Sequence, residues 1–387
     1  MRKGWEYKRF DEVFDLQMGK TPDRKNPDYF GGNNVWVSIR DLGDKEIADS
    51  NEHITDLAVS NSNIRKVKKG TVIMSFKLTV GKCGIAATDL YTNEAIMAFN
   101  TKESFNINSS FLYYYLQCYH WVGSNKAVMG ITLNKATISK QYISIPPLST
   151  QLAIVSELDK INELIRLKKE QLKDFDNLAQ SLFYEMFGDP VENEKGWEVK
   201  KLGDICTDIT DGDHMPPPKS EFGIPFITIS DIDKDTRCLN FENTFYVPED
   251  YYNNLKENRK PQKGDLLYTV TGSYGIPVIV KTDKKFCFQR HIALLRPNKE
   301  ILSTIFLCYW VLSDGVKFMA DKVATGIAQK TVGLNSIRKF SCILPPLSLQ
   351  RLFAQRIEQI EREKSEVKKS IQDLETLLAS RMQYWFE

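Results

Sequence analysis

The chain contains one short motif twice, and each copy is followed by a long helical pattern. Residues 145–151 have the sequence Ile-Pro-Pro-Leu-Ser-Thr-Gln, and residues 344–350, 199 positions later, have Leu-Pro-Pro-Leu-Ser-Leu-Gln. Two consecutive prolines exclude a helix interior and favour an extended residue before them, while the serine that follows suits a helix N-cap. The motif therefore predicts that one helix begins near Gln151 and a second near Gln350.

Apolar side chains recur after each start at alternating steps of four and three residues, which is typical of a coiled-coil seam. The predicted seam residues are Ile154, Leu158, Ile161, Ile165, Leu172, Phe175, Leu182, Phe353, Ile357, Ile360, Val367, Ile371, Leu374 and Leu378. Because both helices carry the same register, we expect them to pack against each other. Three cations, Lys168, Lys364 and Arg381, interrupt the seam, where they either fix its register or extend to its edge.

The segments that precede the two helices are also related to each other. Gly-Trp-Glu-x-Lys opens residues 4–8 and 196–200, and two alternating segments, 36–41 and 226–231, are both predicted as strands. Each half then contains a buried strand, an apolar helix and a glycine-containing loop, which falls at 130–132 in the first half. The loops between the matched strands share almost nothing. One framework that presents two different surfaces would show this combination, although drift after a duplication would also make loops diverge.

The repeat predicts an α+β chain with four segments. Two mixed α/β domains in tandem, residues 1–145 and 190–343, are each followed by a long helix, residues 146–189 and 344–387. The helices are predicted to run antiparallel, with internal pseudo-two-fold symmetry, because a parallel pair would bring both domains to one end, where they would collide. Seven scattered cysteines and the lack of a long apolar run predict a reduced, soluble, cytoplasmic protein.

Three fragments are similar to catalytic or metal-binding motifs but lack essential residues. Residues 19–21, Gly-Lys-Thr, end like a phosphate-binding loop, yet Phe14 occupies the position of its first glycine. Residues 26–29, Asn-Pro-Asp-Tyr, are similar to the tetrapeptide with which amino-methyltransferases hold a base, but no glycine-rich loop for a methyl donor accompanies them. The aspartates and histidine within 208–214 have the composition of a turn. No catalytic residue, cofactor or metal site is therefore predicted.

Polar and basic residues recur instead on the predicted loops of both domains. Arg, Lys, Asn and Gln can bond base edges, and Ser, Thr and Lys suit phosphates. The predicted DNA-binding residues are Arg40, Lys77, Thr79, Lys82, Asn93, Thr132, Asn134, Lys135, Ser230, Thr271, Ser273, Tyr274, Gln289, Arg290, Gln329 and Lys330. The net charge of +2 is compatible with a nucleic-acid partner but does not require one.

The order of these motifs resembles the specificity subunit of type I restriction-modification systems over the whole chain. The features that carry the resemblance are the two Pro-Pro-Leu-Ser-x-Gln starts with their long helices, Phe-Gly-Asp-Pro at 187–190, and the two Gly-Trp-Glu-x-Lys openings. The resemblance implies a non-catalytic subunit with two target-recognition domains, each binding one half of a bipartite asymmetric DNA target, with the gap set by the coiled coil.

The same resemblance implies the partners of the chain. These are double-stranded DNA, two adenine-methyltransferase (modification) subunits and ATP-dependent restriction endonuclease subunits. The methyl donor and ATP bind to those partners, so the chain itself is expected to need no cofactor.

A seam of about 32 residues would span about 48 Å, which is compatible with half-sites one duplex turn, about 34 Å, apart.

Two other functions are left open by the sequence. A coiled-coil protein-interaction scaffold with two globular adaptor domains and no DNA role would share the long helices, and it would show no salt-dependent binding to duplex DNA. A self-sufficient fused methyltransferase is disfavoured because the cofactor loop is missing. Methyl transfer by the chain alone would support that second alternative.

Overall fold

The structure is a computed structural model that describes residues 2, 4–122, 125–127, 130–212, 214, 217–326 and 329–387, with no description of the side chains of 125–127 and 130–132. The chain divides into two compact units. Unit 1 consists of residues 1–168 and 370–387, and unit 2 consists of residues 169–369. Each long helix therefore contributes one part to unit 1 and the other part to unit 2.

Unit 1 alternates short strands and short helices before the first long helix. Its strands are β1 (Glu6–Arg9), β2 (Phe14–Met18), β3 (Phe30–Val37), β4 (Glu46–Ile47), β5 (His53–Ile54), β6 (Val72–Ser75), β7 (Cys83–Ala86), β8 (Tyr91–Thr92), β9 (Ile96–Thr101), β10 (Asn125–Ala127), β11 (Gly130–Thr132) and β12 (Tyr142–Ile145). Its helices are α1 (Phe10–Val13), α2 (Asp56–Ser62), α3 (Ser109–Cys118), α4 (Lys135–Ser139) and the first part of α5 (Leu148–Phe187).

The strands of unit 1 form a five-stranded sheet, in the order β2-β9-β6-β7-β4, and a three-stranded sheet, in the order β5-β3-β8. The outermost pair explains why the opening motif recurs. Strand β1 runs antiparallel to β12, with Glu6 opposite Ile145. The first strand of the unit is thus paired with the strand that directly precedes the two prolines.

Unit 2 repeats this order of elements. Its strands are β13 (Glu198–Lys201), β14 (Cys206–Asp211), β15 (Ile224–Ile227), β16 (Ile232–Asp233), β17 (Cys238–Leu239), β18 (Phe245–Val247), β19 (Leu266–Thr269), β20 (Pro277–Ile279), β21 (Cys287–Phe288), β22 (Ile292–Pro297) and β23 (Ser341–Leu344). Its helices are the last part of α5, then α6 (Leu202–Ile205), α7 (Glu249–Asn254), α8 (Thr304–Leu312), α9 (Asp314–Val323), α10 (Leu334–Arg338) and the first part of α11 (Leu347–Phe386).

The main sheet of unit 2 has the order β14-β22-β19-β20, and a second sheet has the order β18-β15-β21. Strand β13 pairs antiparallel with β23, with Glu198 opposite Leu344. This pair is the counterpart of β1 and β12. The repeat seen in the sequence therefore corresponds to a repeat of strand pairing.

Three local predictions are wrong. The last residues of 36–41 and 226–231 are not strands, because Ile39–Asp41 and Ile229–Asp231 form 3₁₀ turns. The predicted loop at 130–132 is strand β11, which pairs with β10. The predicted turn at 208–214 begins inside strand β14, whose ladder with β22 holds residues 206–211 extended, while Asp213 lies outside the described residues.

The long helices α5 and α11 begin three residues earlier than predicted, at Leu148 and Leu347. The glutamine that ends both copies of the motif has the same structural role in each copy. Gln151 is 1% exposed; its side chain accepts from the backbone N–H of Asn108 (2.9 Å) and donates to the carbonyl of Pro146 (3.0 Å). Gln350, 0% exposed, makes the equivalent bonds to Ser303 and Pro345 (both 2.8 Å). Each glutamine therefore fixes the start of a long helix against the start of α3 or α8.

Within unit 1, the first part of α5 packs against the last part of α11. Ile154 and Leu158 are buried in the main apolar core of this unit, together with half-buried Met382 and Trp385. The Glu157 carboxylate accepts a hydrogen bond from Arg381 Nη2 (3.1 Å) and one from the indole of Trp385 (2.9 Å). The beginning of one helix therefore meets the end of the other.

Within unit 2, the last part of α5 packs against the first part of α11. The rings of Phe183 and Phe353 lie 5.8 Å apart, and both are fully buried. Lys364 Nζ lies 2.8 Å from the Asp176 carboxylate. Because both units pair opposite ends of the helices, the helices run antiparallel, as predicted.

Burial follows the predicted seam along α11 and the first part of α5, whereas in the last part of α5 it shifts to Phe183 and Phe187, which the prediction did not include. Nine of the predicted seam residues are buried, namely Ile154, Leu158, Ile161, Ile165, Phe353, Ile357, Ile360, Val367 and Ile371. The others, Leu172, Phe175, Leu182, Leu374 and Leu378, are half-buried. Of the helices that the structure describes, none is long and apolar enough to span a membrane.

Candidate nucleic-acid interface

Backbone hydrogen bonds join four loops of unit 1. Phe76, at the start of the β6–β7 loop, donates to the carbonyl of Ala95 (3.0 Å) and accepts from Leu133 ahead of α4 (3.1 Å). Asn93, in the β8–β9 loop, donates to the carbonyl of Val37 at the end of β3 (3.0 Å). We call residues 38–41, 76–82, 93–95 and 133–135 the unit 1 loop cluster.

The same bonds join four loops of unit 2. Val270, at the start of the β19–β20 loop, donates to the carbonyl of His291 and accepts from Val332 (both 2.9 Å). Gln289 donates to the carbonyl of Ile227 at the end of β15 (2.9 Å). We call residues 228–231, 270–276, 289–291 and 329–332 the unit 2 loop cluster. The two clusters are equivalent bond for bond.

The structure brings nearly all of the predicted DNA-binding residues into these two clusters. In the unit 1 loop cluster, Arg40, Thr79, Lys82, Asn134 and Lys135 are exposed, and Lys77 and Asn93 are half-exposed. In the unit 2 loop cluster, Ser230, Ser273, Arg290, Gln329 and Lys330 are exposed, and Tyr274 and Gln289 are half-exposed. Thr132 directly precedes the fourth loop, but its side chain lies outside the description.

Thr271 differs from the other predicted residues because it is buried, with 6% of its surface exposed. Its hydroxyl accepts a hydrogen bond from the hydroxyl of Thr331 (3.3 Å). Nearby, the N–H of Gly272 donates to the carbonyl of Lys330 (3.0 Å). The side chain of Thr271 therefore joins two loops of the cluster.

A hydroxyl at the end of a buried strand shapes each hairpin loop. The Ser75 hydroxyl donates to the carbonyl of Thr79 and accepts from the N–H of Lys82 (3.1 Å). In unit 2, the Thr269 hydroxyl donates to the carbonyl of Ser273 (2.8 Å). Since these bonds satisfy loop backbone groups internally, the neighbouring side chains are free to point away from the loop.

An aspartate holds the 3₁₀ turn that presents Arg40 in one unit and Ser230 in the other. The Asp41 carboxylate accepts from the backbone N–H of Ser38, and that of Asp231 accepts from Thr228 (both 2.7 Å). Burial alone would raise the pKa of Asp41, but hydrogen bonds from Asn51 and Ser38 outweigh it and lower that pKa. The turn is therefore held by an ionised carboxylate at neutral pH.

A glycine passes closely behind the third loop of each cluster. A Cβ atom on Gly19 would overlap the carbonyl oxygen of Thr92, and one on Gly212 would overlap that of Phe288. The glycine of the Gly-Lys-Thr fragment therefore serves this close approach between chain segments.

Arg24 is a surface group that the repeat did not reveal. Its guanidinium donates two hydrogen bonds to the Glu52 carboxylate (2.8 and 2.9 Å) and lies 5.3 Å from the centre of the Trp36 ring. The hydrogen bond to Glu52 raises the pKa of Arg24 and lowers that of Glu52. Arg24 lies between the matched segments 4–8 and 36–41, where the two halves share almost nothing, so comparing the halves gives no signal for it.

Glu94 adds a negatively charged hydrogen-bond acceptor near Arg24 and Lys77. Burial would raise the pKa of Glu94, but a hydrogen bond from Thr21 and the charges of Lys77 and Arg24 lower it below its usual range. A carboxylate that stays ionised can accept a hydrogen bond from the amino group of cytosine. The unit 1 loop cluster thus combines cations with an acceptor directly beside Asn93.

A family model described as "Type I restriction modification DNA specificity domain" matches residues 2–174 and 194–376. The two matched segments cover most of the chain and correspond to its two repeats.

Several type I specificity subunits are similar to this chain in sequence. The chain is 28% identical over 257 residues to the type I restriction enzyme MjaIX specificity subunit of Methanocaldococcus jannaschii, covering 60% of this chain and 59% of that protein. It is 22% identical over 297 residues to the EcoBI specificity subunit of Escherichia coli, covering 69% and 62%. The chain thus spans about three fifths of the length of these two relatives. An alignment with the MjaVIII specificity subunit of M. jannaschii, at 22% identity, covers 97% of this chain and 92% of that protein.

A solved structure shares the fold over the full length. Its title describes the basis of complex assembly and conformational transition of the type I R-M system. It covers 100% of this chain and 98% of its own chain with a TM-score of 0.66 and 19% identity. At this identity the likeness concerns the fold.

Proposed function

This chain belongs to the family of type I restriction modification DNA specificity domains, and we propose that it is the DNA specificity subunit of a type I restriction-modification complex. The resemblance inferred from the sequence is thus confirmed at the level of the family. Under the proposal the chain catalyses no reaction itself. It recognises a bipartite asymmetric target in double-stranded DNA, one half through each loop cluster.

The observation that carries the proposal is the repeated loop cluster. Equivalent backbone bonds hold the loops in both units, yet the side chains at equivalent positions differ. Arg40 corresponds to Ser230, and Lys77 corresponds to Thr271. Base edges are distinguished by the pattern of donors and acceptors that meets them, so a common frame with different side chains suits two different half-sites.

Charge supports a duplex as the ligand. The unit 1 loop cluster exposes Arg40, Lys82 and Lys135, and the unit 2 loop cluster exposes Arg290 and Lys330. Cations on loops can neutralise phosphates and release counterions, which is the dominant source of affinity for duplex DNA.

The proposal also assigns the roles of the partners. Two adenine-methyltransferase subunits dock on the chain and supply the methyl donor site, and restriction subunits supply the ATP-dependent endonuclease. Helices α5 and α11, of 40 residues each, set the gap between the two half-sites. The division into recognition domains 1–145 and 190–343, with spacer helices 146–189 and 344–387, belongs to the same proposal.

A domain exchange tests the division of labour. Residues 1–145 are replaced by those of a family relative with a different target, and methylated sites are mapped in cells that also express the methylating partner. We expect one half of the target to change while the other half and the gap stay as they were. A change in both halves would contradict the proposal.

Salt dependence tests the loop cluster itself. The double variant Lys77→Ala, Lys82→Ala removes two candidate phosphate contacts, so the slope of log affinity against log salt should become shallower by about 2. The measurement uses the full chain in complex with its methylating partner. The matched control, Lys160→Ala with Lys173→Ala, removes two exposed lysines of α5 and should leave the slope unchanged. A protein-interaction scaffold would show no slope at all.

A further inference from the structure

The β6–β7 loop of unit 1 carries an exposed leucine in an unfavourable backbone conformation. Leu78 is 71% exposed and has a φ of 61°. That left-handed region is costly for residues with a Cβ atom, and an exposed leucine loses the benefit of burial. Leu78 belongs to none of the apolar clusters formed by the described residues.

The other described residues of this kind have local explanations. Asn63 and Asn193 also have positive φ, but asparagine tolerates this region well. Arg237, with a φ of 52°, donates a hydrogen bond to Asp176 (3.1 Å). A side-chain hydrogen bond within the chain therefore offsets the cost at Arg237. At Leu78 a backbone hydrogen bond from the N–H of Thr79 to the carbonyl of Lys77 (2.7 Å) closes the turn, but the Leu78 side chain joins no apolar cluster of the described residues.

Unit 2 shows that the loop does not require a leucine. The position equivalent to Leu78 is Gly272, with a φ of 70°, and the glycines that follow, Gly81 and Gly275, also match in φ at 91° and 95°. The same turn is thus made with glycine, the residue that suits it. Leucine at this position destabilises the fold, whereas glycine would not. Its presence therefore indicates a role other than folding.

The neighbours of Leu78 suggest its ligand. Lys77 is half-exposed, and Thr79 and Lys82 are exposed, so groups that suit phosphates flank an apolar tip. Duplex DNA offers apolar surface in two forms, the 5-methyl group of thymine in the major groove and the faces of base pairs where a step opens. Both forms belong to bases and therefore carry sequence information.

We propose that Leu78 is a specificity-determining residue of unit 1, which makes an apolar contact with the bases of the half-site that this unit recognises. The inference rests on the proposed function and adds an apolar residue to a candidate site that otherwise consists of polar and basic side chains. In unit 2, Gly272 leaves the equivalent position without a side chain, so the contact belongs to one half-site only.

Two variants separate this role from loop geometry. Leu78→Gly gives the loop of unit 2, and Leu78→Asn keeps a side chain that tolerates positive φ. Both should leave the melting temperature within about 2 °C of the wild type, because relief of strain offsets the lost side chain. Both should weaken binding to the specific duplex by about tenfold or more, while binding to a random duplex changes by less than about twofold.

The binding measurement uses the full chain in complex with its methylating partner and a duplex whose sequence comes from methylation mapping. Leu57→Ala is the matched control, since Leu57 is 49% exposed on α2 and lies outside the loop cluster. It should bind as the wild type does.

Modified duplexes distinguish the two apolar surfaces. If Leu78 contacts a methyl group, uracil in place of one thymine weakens the wild type but not Leu78→Gly. If Leu78 enters an opened base step, the fluorescence of 2-aminopurine placed at that step increases on binding to the wild type. With Leu78→Gly the fluorescence stays unchanged. Either result supports the proposal.

Equal affinity and equal methylation patterns for the wild type and both variants would overturn the role of Leu78. A wild type that fails to distinguish specific from random duplexes would instead overturn the proposed function, so the two failures are separable.

Discussion

The two units share one helix register but bury different side chains along it. In unit 2, Phe183, Phe187 and Phe353 are fully buried where α5 and α11 meet. Phe187 and Phe353 lie 5.3 Å apart at an interplanar angle of 78°, an edge-to-face contact. In unit 1, the position of Phe187 is taken by Phe386, which is only half-buried. The register therefore sets which positions meet, and the local side chains set how tightly they pack.

The polar contacts of the helices differ in the same way. Lys364 is 8% exposed in unit 2, and its ammonium lies 2.8 Å from Asp176 and 3.2 Å from Glu361. The equivalent position in unit 1 is Ile165, which is buried without a charge. Unit 1 instead pairs Arg381 with Glu157 at a partly exposed site. Each unit thus has a polar pair at a different level of the seam.

The largest difference is expected from truncating the equivalent phenylalanines. Phe187→Ala should lower the free energy of unfolding by about 3–5 kcal/mol, because it leaves a cavity in a fully buried aromatic cluster. Phe386→Ala should cost less than about half as much, since its ring is already half-exposed. Urea denaturation of the full-length variants measures both. Equal losses would show that the two rings are equally well packed.

The buried cation of unit 2 provides the second test. Asp176→Ala removes the partner of Lys364 and of Arg237, and it should cost about 1–3 kcal/mol because a buried ammonium loses a hydrogen bond. Lys364→Met removes the charge and keeps the volume, so its effect should stay within about 1 kcal/mol. Urea denaturation compares the two variants. A larger loss for Lys364→Met than for Asp176→Ala would mean that the lysine stabilises the helix pair on its own.

The smallest effect concerns pH in unit 1. The hydrogen bond from Arg381 lowers the pKa of Glu157, and the bond from Trp385 adds to this. A lowered carboxyl pKa stabilises the fold above the unfolded value of about 4.3, and this contribution is lost as the pH falls through the folded pKa.

Glu157→Gln should therefore destabilise the protein by no more than about 1 kcal/mol at pH 7, since the site is partly exposed, and by nearly nothing near pH 3. The measurement is the free energy of unfolding across this pH range. Glu366→Gln, on an exposed position of α11, is the control and should show no such convergence. A difference from the wild type that persists unchanged at low pH would exclude the charged pair as its cause.

Much of the fold was predictable from the repeat. The two proline pairs predict the helix starts to within three residues. The collision expected of a parallel pair predicts the antiparallel one, and the apolar segments that recur in both halves predict the buried strands β6 and β19. The 3₁₀ turns at 39–41 and 229–231 were not predictable, since they depend on Asp41 and Asp231 accepting bonds from the residue three positions earlier. An alternating pattern of apolar and polar residues does not show such a cap.

The sequence predicted many of the residues of the candidate site but not where the fold brings them together. Polar side chains on repeated loops gave Lys77, Asn93, Gln289 and their neighbours, whose role at DNA stays a prediction. Neither Arg24 nor Leu78 was found, because one lies in a stretch without a counterpart and the other is apolar. Leu78 becomes conspicuous only through its φ and its exposure, which no sequence pattern reports.

The sequence alone determined the duplication and the register of the long helices, because periodic apolar residues and the proline pairs act locally along the chain. Its motifs also carried the resemblance to the family. Only the tertiary structure decided that four separate loops meet in each unit, that Gln151 and Gln350 fix the helix starts, and that Lys364 is buried. The physical reason is that these features depend on hydrogen bonds and packing between residues far apart in sequence. Their free energies depend on three-dimensional distances that local patterns do not encode.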